Sequence, residues 1–208
     1  MKQFQGWSFP DRDTGDLGEF LHRQLHLAQQ LIILTGRNLH TAVCGGAHIG
    51  VIPRAFASFF GTVLAFEPDH ENWECLLKNC NGVKNIRAVN EALSDSYSCF
   101  PMAKGAQSEH PHYVRHGKLT GIGSVMLDQI GLMACDLLQL DVNGCELLAL
   151  EGAADTIYKH RPLIAVEVND SAARMGHTVA DVDTWLAERH YQLLTTISPY
   201  DRVYKYVE

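Results

Sequence analysis

From Thr41 onward the chain repeats one unit: a short apolar run, a turn, and a stretch with helical spacing. "TAVC", "TVLAF", "NIRAVN", "CDLLQLDV" and "LIAVEV" are the apolar runs, each four to eight residues long as buried strands are. The intervening "VIPRAFASFF", "HENWECLLKNC" and "CELLALEGAADTIYKH" have helical character. Pro53 falls in the first turn of the first, where its missing N–H costs nothing. Leu147, Leu150, Ala154 and Ile157 share one face of the third, which is expected to be a single helix. Strand and helix in alternation admit few architectures, because parallel neighbours need a crossover and the crossover helices cover the sheet. The expected fold is therefore α/β, a mainly parallel sheet with helices on both faces. "VADVDTWLAERH" adds a helix opened by a Thr178–Asp181 capping box. "YQLLTTI" and "RVYKYV" follow around "SPYD" with no helix between them, which predicts an antiparallel hairpin at one edge.

The repeat and its flanks set the domain plan. A turn-rich "GWSFPDRDTGD" precedes a helix from about Leu17, with Leu21, Leu25, Ala28 and Ile32 on its apolar face and Gly36 at its stop. Residues 1–40 are read as an N-terminal segment and 41–208 as the core of one domain, a size that suits 208 residues. No run approaches the ~18 apolar residues of a membrane span, and the start lacks the apolar centre of a signal peptide, so a cytoplasmic protein without a membrane partner is expected. The net charge of −7 disfavours nucleic acid as a partner. Six cysteines, at 44, 75, 80, 99, 135 and 145, include no CxxC pair, so neither a disulfide framework nor a metal site is expected, and the thiols are read as free and buried. The Cys75/Cys80 pair is assigned to helix packing, and Trp73 and Trp185 to core or partly buried anchors. Pro101 to Gly123 is polar and aperiodic, as functional connections are. It carries His110, His112 and His116, whose spacing could bind a metal, but no carboxylate array accompanies them. They are read as solvated, or as offering one base to a substrate.

Ligands of open parallel sheets bind beyond the carboxyl ends of the strands. At the end of the first strand lies "CGGAHIG", where Gly45, Gly46, Ala47 and Gly50 leave room for a ligand to approach the backbone, with amides expected to face an anion at the helix start. Glu67 ends the second strand, where a carboxylate can accept both hydroxyls of a ribose. Turn and carboxylate together indicate an adenosine-containing cofactor. They fit an NAD-dependent oxidoreductase as well as any other adenosine cofactor.

The wider set of motifs resembles the FkbM-type family of S-adenosylmethionine-dependent methyltransferases. "CGGAHIG", "AFEPDHENWECLLKN", "NEALSD", Leu127–Asp128, "LQLDVNGCELLALEGA" and "LIAVEV", ending with Glu167, follow the family's order and spacing from about Thr41 to Asn169. The front segment and compact length are most like phage-encoded members. The resemblance implies a Rossmann-like class I methyltransferase sheet of seven strands, with S-adenosylmethionine as cofactor and O-methylation of a small molecule or glycan. It implies that Gly46, Ala47, His48 and Gly50 line the methionine end and Glu67 holds the ribose. Pro68 and the segment Asn90, Glu91, Ala92 would flank the adenine, and Asp141 would lie near the reacting methyl as base, acceptor-orienting group or cofactor contact. "LQLDVNG" has no place in the oxidoreductase reading. The family's aspartate, asparagine and glutamate are here Cys44, His48 and Asn143. These departures raise a third reading, a cofactor-binding module without turnover, and they leave a thiol at Cys44 where the family has a carboxylate.

Overall fold

The computed structural model describes residues 1–36, 39–97, 99–100, 102–103, 112–113, 122–169, 173 and 176–208. Seven strands form the main sheet: β1 (Thr41–Gly45), β2 (Thr62–Phe66), β3 (Ile86–Val89), β4 (Leu137–Leu140), β5 (Leu163–Glu167), β6 (Tyr191–Thr196) and β7 (Asp201–Tyr206). Their order is β6-β7-β5-β4-β1-β2-β3. The five strands from β5 to β3 are parallel, while β7 runs antiparallel to both β5 and β6. This is the mixed α/β sheet with an antiparallel edge that the repeat predicted. The chain leaves β1 toward β2 on one side and returns to β4 on the other, so the switch point lies between β1 and β4.

Period-two alternation divides the strands between two cores. Val43, Leu64, Phe66, Leu138 and Leu140 face one side, with α4 (Glu146–Glu151), α5 (Ala154–His160) and α6 (Val179–Ala187). Ala42, Cys44, Val63 and Ala65 face the other, with α1 (Leu17–Thr35), α2 (Val51–Phe56) and α3 (His70–Asn79). The capping box before α6 is present, with the Asp181 amide donating to Thr178 Oγ1 at 3.2 Å. Trp185 is buried and Trp73 partly so. Cys75 and Cys80 pack into different clusters. The five described cysteine side chains are free and buried.

Several expectations need correction. The buried face of α1 is Leu21, Leu27, Ala28 and Leu31; Leu25 is exposed and Ile32 only partly covered. α2 ends at Phe56 rather than Phe60, because the amides of Ser58 and Phe59 tighten onto the carbonyls of Ala55 (3.3 Å) and Phe56 (2.8 Å) and Asn85 Nδ2 donates to the carbonyls of Ala57 (2.8 Å) and Phe60 (2.9 Å). The helix expected from Cys145 to His160 is two helices. They part at Gly152, which sits so close to Ser94 that a Cβ there would meet the Ser94 carbonyl oxygen at 1.8 Å.

Three features were not anticipated. Lys2–Phe4 and Trp7–Phe9 form an antiparallel hairpin. Ile122–Val125 pairs with Ala92–Leu93 in parallel and with Cys99–Phe100 antiparallel. Met102–Ala103 pairs with His112–Tyr113. Most of the aperiodic stretch from Pro101, including His110 and His116, lies outside the described residues, as does the side chain of His112.

Candidate functional site

Local geometry at the switch point is fixed by one residue. Gly46 has φ 78°, and a Cβ on it would lie 1.8 Å from the Asp141 carbonyl oxygen. The turn after β1 and the chain leaving β4 therefore touch backbone to backbone, an approach that only glycine permits. The Asp141 amide donates to the Gly45 carbonyl at 3.0 Å and extends the strand ladder into this contact.

The amides of the turn are turned inward. Those of Gly46 and Ala47 both donate to the Phe66 carbonyl at 2.9 Å, that of His48 to Glu67 Oε2 at 2.8 Å, and that of Gly50 to the Ala47 carbonyl at 2.9 Å. The expectation that they face an anion is not met, because these four donors already bind the β1 turn to β2 and to itself. Cys44 also points away: it is fully buried beside Ala42 and Ala65, and burial pushes its thiol pKa far up.

A cleft opens over the ends of β1, β2, β4 and β5. Its described lining includes Gly46 and His48 from the first turn, Glu67 and Pro68 after β2, Ala92, Asp141 and Asn143 after β4, and Glu167. Ala47 and Gly50, expected at the cleft, are not in its lining. Ala47 is buried in the core, and a Cβ on Gly50 would meet Cys80 Sγ at 2.9 Å and Leu76 Cγ at 3.2 Å, so this glycine serves close packing against α3. Asn90 and Glu91 are also outside the lining. Asn90 Nδ2 donates to the carbonyls of Glu67 (2.8 Å) and Pro68 (3.2 Å) and holds that wall from behind. Glu91 lies against Gly123, where a Cβ would meet its Oε1 at 3.3 Å.

Glu67 is buried, and both its oxygens accept hydrogen bonds. Oε2 takes the His48 amide; Oε1 takes the Asp69 amide (2.9 Å) and Asn72 Nδ2 (3.4 Å). Burial nevertheless raises its pKa to about 7, against the lowering effect of these donors. Asp69 is the separate N-cap of α3, accepting the Asn72 amide at 3.0 Å. Burial, and then the neighbouring Glu167 carboxyl, hold the Asp141 pKa well above the usual carboxylate range. The buried Asp141 carboxyl thus resists ionisation while Glu167 stands beside it. Glu146 ties down the same loop, accepting the amides of Val142 (3.2 Å) and Gly144 (3.0 Å), and its burial raises its pKa to about 6. His48 and Asn143 both have left-handed backbones, φ 49° and 54°. Asn tolerates that region better than most residues, which gives Asn143 a structural reason for its type.

Sequence reasoning missed several contributors, Asp69 and Asn72 among them. Phe20, Arg23 and Gln24 enter the cleft from α1, whose docking onto the sheet leaves no local signature. Glu167 was legible as the last residue of a strand but received no role. The arrangement presents the carboxyl groups of Glu67, Asp69, Asp141 and Glu167 around one cleft, a donor set suited to a ligand bearing hydroxyls and positive charge.

Comparison with known proteins agrees with this geometry. A family model described as "Methyltransferase FkbM domain" matches residues 45–193. No curated protein matches the chain. The solved structure of the methyltransferase FkbM from Methylobacillus flagellatus KT is similar at 21% identity and a TM-score of 0.58, over 80% of this chain and 43% of that one. This chain thus spans less than half of that protein. The ribosomal protein L11 methylase from Lactobacillus delbrueckii subsp. bulgaricus is 12% identical with a TM-score of 0.54, covering 98% of this chain and 83% of its own. Magnesium protoporphyrin IX methyltransferase from Synechocystis PCC 6803, solved with bound SAM, is 12% identical with a TM-score of 0.51, covering 94% and 86%. At these identities the solved structures show a shared Rossmann-like methyltransferase fold, while the family model spans most of the sheet and the cleft. The chain belongs to the FkbM methyltransferase family.

Proposed function

We propose that the chain transfers a methyl group from S-adenosylmethionine to a hydroxyl of a small molecule or glycan. The observation that carries the reading is the acid-lined cleft at the switch point, in which the turn amides are already spent. A dinucleotide needs such amides for its pyrophosphate, so the turn suits NAD poorly. A sulfonium with an ammonium group needs carboxylates, which the cleft supplies. The residues present fit that cofactor. Glu67 would accept a ribose hydroxyl with the lone pair left on Oε2. Pro68 and Ala92 would flank the base, with Asn90 and Glu91 as braces behind them. Gly46 and His48 would border the methionine end, and Ala47 and Gly50 would keep the turn in shape. Bound there, S-adenosylmethionine supplies an electrophilic methyl group. With a positive charge beside it, Asp141 would release its proton to water, and the carboxylate would then take the proton of an acceptor hydroxyl as that oxygen bonds the methyl and the sulfur–methyl bond breaks. Because Cys44 faces the core, that departure from the family pattern does not touch the cleft, which favours turnover over a binding-only module.

Calorimetric titration tests the reading. S-adenosylhomocysteine should bind and NAD should not. Glu67→Ala should weaken S-adenosylhomocysteine at least tenfold, since a charge-assisted hydrogen bond contributes about 1.5–3 kcal/mol. Micromolar NAD binding without a response to S-adenosylhomocysteine would sink the proposal.

A further inference from the structure

We infer that Arg23 receives the carboxylate of the cofactor's methionine moiety. The inference rests on S-adenosylmethionine as the ligand of the cleft. The cofactor carries an ammonium, a sulfonium and a carboxylate. Acids suit the first two and repel the third. Among the described residues lining the cleft there are four acids, Glu67, Asp69, Asp141 and Glu167, and one permanent cation, Arg23.

The local structure fixes the helix face that carries this cation. Asp16 caps α1 by accepting the Glu19 amide, which fixes where the helix begins. Phe20, Arg23 and Gln24 then fall at i, i+3 and i+4, one face of the first two turns, and all three reach the cleft. Further along, Leu27, Ala28 and Leu31 are buried with Ala47 and Ile52, which anchors α1 to the turn after β1. The Phe20 ring lies 5.1 Å from the His48 ring, so the face bearing Arg23 adjoins the Gly46–His48 side of the cleft.

Arg23 also differs from the other arginine near the cleft. Arg12 is engaged by Asp69 at 2.5 Å and by Glu71. Arg23 is exposed and forms no hydrogen bond or ion pair with any described residue. A guanidinium that lines the same cleft as four acids yet pairs with none of them leaves its planar fork of donors for an anion brought by the ligand.

The test uses two ligands that differ only at the amino-acid end. S-adenosylhomocysteine carries the carboxylate; 5′-methylthioadenosine keeps the adenosine and the sulfur without it. Both are titrated into the wild-type chain, Arg23→Gln and Arg23→Lys. Arg23→Gln should weaken S-adenosylhomocysteine about five- to tenfold, as loss of an exposed but bidentate pair predicts, and leave 5′-methylthioadenosine within about twofold. Arg23→Lys should keep part of the difference. The melting temperature of Arg23→Gln should match wild type, because the side chain is exposed. Equal weakening of both ligands, or unchanged affinity for S-adenosylhomocysteine, would overturn the assignment of Arg23 alone. A wild-type chain that binds neither ligand would overturn the cofactor reading, and this inference with it.

Discussion

A single side-chain direction decides what Cys44 means. By type it stands where the family has an aspartate, so it could have been a thiol facing the cofactor. By alternation along β1 it shares a face with Ala42, and that face is core. Fully buried and near Cys80, its thiol stays protonated. Cys44→Asp should therefore not tighten S-adenosylhomocysteine binding. It should cost about 2–7 kcal/mol, the range for burying an unsatisfied polar group, and lower the melting temperature by at least about 5 °C for a chain of this size. Thermal unfolding with calorimetry checks both expectations. Unchanged melting with tighter binding would mean that the side chain reaches the cleft.

At the scale of elements, the N-terminal hairpin is part of the site's support. Ser8 donates its amide to Asn79 Oδ1 at 2.7 Å and accepts from Asn79 Nδ2 at 2.9 Å, which seats the hairpin on α3. Arg12 then reaches Asp69, Glu71 and Asn72, and Asn72 passes the constraint to Glu67. Arg12→Gln should weaken S-adenosylhomocysteine and 5′-methylthioadenosine alike by about three- to tenfold, because both carry the ribose that Glu67 would hold. That corresponds to about 0.7–1.4 kcal/mol, the net scale of a typical intramolecular hydrogen bond. Ribose-independent binding, with neither ligand affected, would break the link from Arg12 to Glu67.

The elements also mark the limit of legibility. β1 to β5 could be read because each is an apolar run bounded by turns. The hairpin had a local signal that was passed over: Phe4, Trp7 and Phe9 around Gln5–Gly6, both with positive φ (47° and 81°), as the tight turns of hairpins require. The break at Gly152 had none, since its cause is the backbone of Ser94, far away in sequence. Glu67, Pro68 and Asp141 reached the cleft as read because strand ends of a parallel sheet converge there. Arg23 could not be read, because which face of α1 meets the cleft is decided by packing.

At the scale of the whole molecule, the cleft makes stability and binding respond oppositely to pH. Glu67 rises from an ordinary 4.5 to about 7, Glu146 from 4.5 to about 6, and Asp141 moves in the same direction. A carboxyl whose pKa is raised by folding binds more protons folded than unfolded. Its stabilising contribution is complete below the unfolded pKa and is lost as pH climbs through the folded one. The ligand-free chain should thus lose melting temperature between pH 5 and about 7.5. Affinity for S-adenosylhomocysteine should rise over the same window, as the carboxylates needed for hydroxyls and ammonium ionise. Melting curves and titrations at half-unit pH steps check the two slopes, and parallel rather than opposed trends would contradict this account.

The position of β7 has a consequence for the order of events during synthesis. The strand at Asp201–Tyr206 is paired on both sides, with β5 and with β6. Until residue 206 has emerged from the ribosome, β5 presents an open edge of backbone donors and acceptors, and β6 lacks the one strand it pairs with among the described residues. The parallel half of the sheet and the cleft beside it can assemble earlier, but they must wait with an unprotected flank. The nascent chain is then most exposed to pairing with a neighbour just before synthesis reaches that strand.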